Sequence, residues 1–381
     1  MNELKTVNSS KVKALLASIF LVLSYTSVSG LRLVILFPFL VFFMIPFSTK
    51  VRLSFNYSLI IFLMIIFTLF TYQLFNELSG FNGVFQVIIF FSFSYWYLLS
   101  KRSDINSDLI FFLKGLYVLA ALSLALFVIF QFVLFYFFNL EVFRVEFYRE
   151  RVAFSAIWSD FSILSLFLVS AIPLVRSNFE GVATKILIIF LLFIGSLFTT
   201  ARTGLYSLAI FLILASTLLI LRVFFKKRFK IYTLIIVLLL FCAIFLVVYL
   251  FNTFPTFRLF SLDGSSRIEN YLFALNYVAD NPFFGTVGNL HEYIAVYRVL
   301  PHNMILHVWV QGGLFLLSLT IIWIFSVFYS ARKHPDLTAS IIVSLIGLMF
   351  VPSFYSIYFF AFLSNIAFIS NAVYKQNLHL V

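Results

Sequence analysis

Apolar runs long enough to cross a bilayer recur from one end of this chain to the other, and they leave few folds open. A spanning helix needs about 20 predominantly apolar residues, and lipid admits only structures that satisfy every backbone polar group internally. Such runs are read at 14–29, 31–47, 54–74, 84–99, 115–139, 153–175, 186–201, 203–222, 231–251, 303–329, 338–354 and 356–374, with only Pro352 to Tyr355 separating the last two. The expected fold class is all-α: one polytopic membrane domain over 1–381 with about 12 transmembrane helices. Hydrophobic residues make up 63% and charged residues 10%, against about 25% charged in soluble domains. Cys242 is the single cysteine and lies in an apolar run, which removes a disulfide framework and a cysteine metal site. Lys5, Lys11 and Lys13 precede the first run and no small-residue cleavage site follows, so that run is expected to be retained as a span.

A net charge of +12 would suggest nucleic acid in a soluble protein; here its distribution carries the meaning, and no nucleic-acid partner is expected. With the N-terminus inside, 18 of the 26 basic residues, every lysine among them, fall in cytoplasmic loops. The others are all arginines: Arg32, Arg144, Arg149, Arg151, Arg202, Arg258, Arg267 and Arg298. Twelve spans then put both termini in the cytoplasm. Arginine persists on the outer side against the positive-inside trend, and its planar fork of donors suits phosphate better than the point charge of lysine. Pairing with Glu141, Glu146, Glu150, Asp263, Glu269 and Glu292 is the plainer explanation for several of them.

The one long polar stretch, Asn252 to Gly313, is the expected seat of chemistry. Within an outer loop over 252–302, Ser266-Arg267-Ile268-Glu269 reads as a capping box that opens an amphipathic helix over 266–280. Arg267 sits in its first turn, where the backbone N–H groups and the helix dipole already favour an anion. Arg258 lies upstream in the same loop. His302 follows Pro301 at the mouth of the tenth span, with Asn303 next; an imidazole is the side chain best suited to take a proton near neutrality. The alternative for His302 is a hydrogen-bonded surface group. Gly312 and Gly313 are expected to allow close helix packing beneath it. Arg202 interrupts two apolar runs at Thr199-Thr200-Ala201-Arg202-Thr203-Gly204, a depth at which an ionisable group is costly and functional by default. A second outer loop, 140–152, carries Arg149 and Arg151 ahead of Trp158-Ser159-Asp160; with Asp160 it makes a mixed-charge, aromatic wall suited to a sugar, or an ordinary interfacial belt. There is no phosphate-binding G-x-x-x-x-G-K-[ST] loop, no D-x-D motif and no chain of buried carboxylates of the kind proton-coupled transporters use.

Three motifs in order, Thr199 to Gly204, Ser266 to Tyr271 followed by Asn281-Pro282-Phe283-Phe284-Gly285-Thr286-Val287-Gly288, and Pro301-His302-Asn303 ahead of Gly312-Gly313, resemble those of the O-antigen ligase and polymerase superfamily. The resemblance covers roughly Arg149 to Gly313; Thr286 departs from the tighter glycine pattern of many members. It implies a bacterial inner-membrane glycosyltransferase of the GT-C-like type, with the site facing the periplasm and neither metal nor cofactor. The implied donor is an undecaprenyl-pyrophosphate-linked glycan, transferred with inversion to a glycan acceptor. By the same resemblance Arg202 and Arg267 hold the donor pyrophosphate and His302 activates the acceptor. Arg149, Arg151, Arg258, Asn303 and Asp160 are the expected substrate-binding residues. Bilayer lipid, a chain-length regulator and a flippase are the expected partners. Of the superfamily's two activities, polymerisation of repeat units suits the compact outer loop and the second arginine-bearing loop. Ligation of finished glycan to lipid A-core is the alternative, and a flippase for lipid-linked oligosaccharide is the reading from another class.

Overall fold

The computed structural model describes residues 9–28, 31–44, 57–75, 81–99, 104–148, 151–225, 265–287, 290–351 and 354–378. The expected span at 231–251, with Arg149 and Arg258, lies outside the described residues. The helices are α1 (Ser9–Val22), α2 (Leu36–Met44), α3 (Tyr57–Phe75), α4 (Phe81–Tyr95), α5 (Ser107–Phe138), α6 (Phe161–Asn178), α7 (Val182–Phe198) and α8 (Arg202–Phe225). They continue with α9 (Ser265–Asp280), α10 (Leu290–Tyr297), α11 (Met304–Ala331), α12 (Pro335–Leu348) and α13 (Tyr358–Leu378). Two small antiparallel hairpins interrupt them: β1 (Ser27–Val28) with β2 (Leu31–Arg32), and β3 (Val145–Tyr148) with β4 (Arg151–Phe154). The chain is a multi-pass membrane protein. Three described helices, α5, α6 and α11, are long and apolar enough to cross a bilayer by themselves, and shorter apolar helices accompany them.

The pattern of α5 shows how the sequence builds this bundle. Phe111, Leu119, Leu126, Phe130, Val133 and Phe137 recur at helical spacing and form an exposed apolar stripe, as a lipid-facing surface should. Leu113, Tyr117, Ala121, Leu124 and Val128 form the opposite, buried stripe. α6 packs against α5, α7, α8 and α12 and is the hub of this half of the bundle. α13 is buried from Tyr358 through Ile369 and packs on α4, α5 and α11. Hydroxyls tie the spans where apolar packing alone gives no register: Tyr117 Oη meets Ser170 Oγ at 2.6 Å, and Ser165 Oγ meets Ser196 Oγ at 2.7 Å.

Helix starts and the second loop differ from the sequence expectation. The sixth span was expected from 153, but Val152 to Phe154 belong to the β3–β4 hairpin and α6 begins at Phe161. Alternating β-branched and aromatic residues (Val145, Phe147, Val152, Phe154) suit a strand pair. Gln131, buried within α5, anchors both ends of this segment: its Nε2 donates to Val142 O at 2.7 Å and its Oε1 accepts from Ala156 N at 2.8 Å. Where an amphipathic helix is expected over 266–280, a helix runs over Ser265–Asp280. Ser266 thus sits inside its first turn, where a cap residue would stand ahead of it, and Arg267 remains in that turn.

Candidate active site

Arg202 is placed by a tight helical hairpin. α7 stops at Phe198, Thr200 adopts a left-handed φ of 57°, and α8 starts at Arg202 itself. Thr199 Oγ1 donates to Ser196 O at 2.7 Å and accepts from Ala201 N at 3.2 Å, so one hydroxyl braces both sides of the turn. Thr200 Oγ1 donates to Val152 O at 3.1 Å, which docks the turn onto β4. Gly204 lets α8 press against α6: a Cβ there would overlap the Ser165 backbone. The half-buried Arg202 therefore stands on a rigid corner. A cation in the first turn opposes its own helix dipole, and an anion at that corner would relieve the opposition.

α9 meets the backbone of the histidine. Arg267 lies in the first turn of α9. Tyr271 follows one turn on, and its Oη lies 3.0 Å from His302 O and 3.3 Å from Met349 O. Phe350, beside Met349, meets the Tyr206 ring at 6.4 Å, and Tyr206 stands one turn below Arg202 on α8. The end of α12 is thus a junction at which the Arg202 helix, the Arg267 helix and the His302 backbone converge. Sequence reasoning gave Tyr271 only as the end of a motif, with no role of its own, and assigned none to Tyr206, Met349 or Phe350. The available signal was the phenol of Tyr271 on a largely apolar face, since such a hydroxyl needs a partner.

The remaining expected residues separate into several groups. Asn303 caps α11, accepting from Ile305 N at 2.9 Å and Leu306 N at 3.2 Å. Asp160 caps α6 in the same way, accepting from Ser162 N at 2.8 Å and Ile163 N at 3.0 Å. Both side chains fix helix starts at this end of the bundle. Arg151 pairs with Tyr148 across the β3–β4 hairpin. Arg144 is paired with Glu146 at 2.7 Å in the exposed loop, as the plainer explanation of the outer arginines held.

The glycine pair of α11 has a different role from the one its sequence suggested. Gly312 (φ −146°, ψ 21°) and Gly313 (φ 65°, ψ −169°) break the helix. The segment after α9 fills the break. Thr286 N donates to Val310 O at 2.7 Å, Leu314 N to Pro282 O at 2.9 Å, and Trp309 Nε1 to Pro282 O at 3.0 Å. The helical hydrogen bonds lost at the break are replaced from the loop, which is how non-helical backbone is tolerated at membrane depth. Ala274 and Val278 of α9, Tyr293 of α10 and Val310 of α11 form a small core of their own above this clamp. The glycines therefore serve loop-to-helix docking. Beside the clamp runs an apolar groove of about 860 Å³, walled by α3 from Ile60 to Tyr72, by Phe315 and by Phe284.

Residues 187–321 match the protein-family model for O-antigen ligase. That stretch contains Arg202, Arg258, Arg267, His302 and Asn303 and ends before α11 does; Arg149, Arg151 and Asp160 fall outside it. Comparison with curated proteins finds no match. Over residues 187–321 this multi-pass membrane protein is thus similar to the O-antigen ligase family, a match that supports the O-antigen ligase and polymerase superfamily and implies a glycosyltransferase-like enzyme with lipid-linked glycan substrates.

Proposed function

We propose that this protein polymerises undecaprenyl-pyrophosphate-linked repeat units into a surface polysaccharide at the periplasmic face of the bacterial inner membrane. The observation that carries the reading is the junction at Met349 and Phe350, where contacts from Tyr206 and Tyr271 gather the Arg202 helix, the Arg267 helix and His302. Arg202 and Arg267 neutralise the donor diphosphate. The acceptor hydroxyl oxygen attacks the anomeric carbon while the carbon–oxygen bond to the diphosphate breaks, and that bond's electron pair leaves with the diphosphate. The hydroxyl proton passes to His302, and attack opposite the leaving group inverts the anomeric centre. Fixed arginines act on charge that grows in the transition state, and diphosphate is already a good leaving group, so the arginines and the base supply what the displacement needs. The apolar groove beside the clamp suits the polyprenyl chain, and its wall at Phe284 joins it to the loop that follows α9.

Orientation in the bilayer rests on the lysines, which gather at the opposite end from Arg202 and His302 by the charge pattern. The short outer loop and the second arginine-bearing loop favour a polymerase, whose two substrates both carry polymer. The deciding experiment is a deletion strain whose lipopolysaccharide is resolved on a gel. A polymerase leaves outer lipid capped with a single repeat unit. Polymer stranded on the carrier, with none on lipid A-core, assigns the chain to ligation instead.

A further inference from the structure

α11 carries two polar side chains, His307 and Gln311, one turn apart on one face and deeper than His302. Both are more than nine-tenths buried, at 3% and 5% exposure. His307 Nδ1 and Gln311 Oε1 have no hydrogen-bond partner among the described residues. Orphaned polar atoms at this depth are expensive, at about 1–3 kcal/mol each, and two neighbours on one face are hard to attribute to chance.

The face they occupy is informative. Met304 and Val308 of α11 belong to the main bundle core, whereas Leu306 and Val310 pack into the small core shared with α9 and α10. At 3.6 residues per turn, positions 307 and 311 fall between those two stripes. They lie on the seam where the outer helices meet the membrane bundle. His302 is close enough for its charge to act on His307, so the seam continues the proposed site inward. It ends at the clamp, where Thr286 Oγ1 lies 3.3 Å from Gln311 O.

We propose that His307 and Gln311 form a binding station for one hydroxyl, which bridges His307 Nδ1 and Gln311 Oε1. Gln311 Oε1 can only accept, so the ligand donates to it; the imidazole nitrogen can accept or donate according to its tautomer. A small O–H group meets both demands. Its source is a water held beneath His302 or a sugar hydroxyl of the acceptor. The sugar source rests on the function proposed above; the water source stands without it.

The test is solid-state NMR of the full chain, labelled with ¹⁵N-histidine and reconstituted in phospholipid bilayers. The His307 signal is assigned by its loss in His307→Phe. A bridging water gives an Nδ1 shift displaced from that of a nitrogen without a partner, with a cross-peak to water protons, in bilayers holding no glycan. A sugar hydroxyl gives that displacement only after the cells' own lipid-linked repeat unit is added. In either case Gln311→Leu, or Gln311→Met should the first variant fail to insert, moves the His307 shift by removing the second anchor. An Nδ1 shift typical of an unpartnered nitrogen in both states overturns the proposal. So does a His307 shift that ignores the loss of Gln311.

Discussion

Replacing Gly313 with alanine puts the loop-in-helix clamp to its sharpest test. At φ 65° and ψ −169° Gly313 occupies a region that is essentially closed to residues with a side chain. A Cβ there would overlap the Phe283 carbonyl and Phe284 N, which are backbone and cannot swing aside. Strain of this kind costs about 1–3 kcal/mol. Expelling the loop instead forfeits the bonds from Thr286 N, Leu314 N and Trp309 Nε1, each worth about 0.5–1.5 kcal/mol. Those bonds are lost on opening in the parent as well, so the substitution shifts the balance against the closed clamp by the strain alone, about 1–3 kcal/mol. Phe283 and Phe284 are well exposed, so chymotrypsin can reach them once the backbone is released. Limited proteolysis in nanodiscs should then show cleavage there accelerated by about one to two orders of magnitude, since every 1.4 kcal/mol is tenfold in the open population. At Gly312 an added Cβ has the Leu316 side chain of its own helix as its nearest neighbour, and Gly312→Ala should have a smaller effect. Gly115→Ala, where nothing lies within 4 Å of the added Cβ, is the control. If Gly313→Ala is cut no faster than Gly115→Ala, the clamp is not what holds this loop.

Other perturbations address the frame around the site. Tyr271→Phe keeps the ring and removes the tie to His302 O and Met349 O, so polymer formation should fall about tenfold with little change in melting temperature; unchanged polymer would separate α9 from the chemistry. At the opposite end of the bundle, Lys114 and Asp336 form a buried pair at 2.7 Å. Lys114→Met should cost about 3–5 kcal/mol, and Lys114→Met with Asp336→Leu should recover most of it, read by thermal unfolding in detergent. Beside that pair, burial and then the Lys114 ammonium hold His334 below the usual imidazole range, with Asp336 opposing them. The unfolded chain therefore takes up this proton first as the pH falls. Melting temperature should decline as pH drops through about 6.5, and His334→Asn should flatten that decline. Asn303→Ala removes the cap of α11 and should lower stability by about 1 kcal/mol in the same melts.

What the sequence could reveal follows from the range of each physical signal. Amphipathic and apolar periodicity is local, so α9 and α11 were legible within a few residues of their ends, whereas α5 starts at Ser107, eight residues before the apolar run read from 115. The break in α11 was not, because Gly312-Gly313 reads equally well as a packing seam; only the docking of Pro282 to Thr286 shows which it is. Asp160 shows a related limit. A lone acid beside an arginine-bearing outer loop reads as a sugar contact, yet its carboxylate holds the first N–H groups of α6, and the strand pair before it moved the helix start. Arg202 and His302 stood out by their chemistry alone. Their connection through Tyr206, Phe350, Met349 and Tyr271 is a property of tertiary packing between segments far apart in the chain, and no spacing rule encodes it.

The central claim is that Arg202, Arg267 and His302 act together on a lipid-linked diphosphate sugar. Its most direct test is polysaccharide length in a deletion strain complemented with Arg202→Ala, Arg267→Ala or His302→Ala, with membrane insertion of each variant confirmed by immunoblot. The account predicts that all three insert and that each one abolishes long polymer. Normal polysaccharide length from all three inserted variants would contradict it.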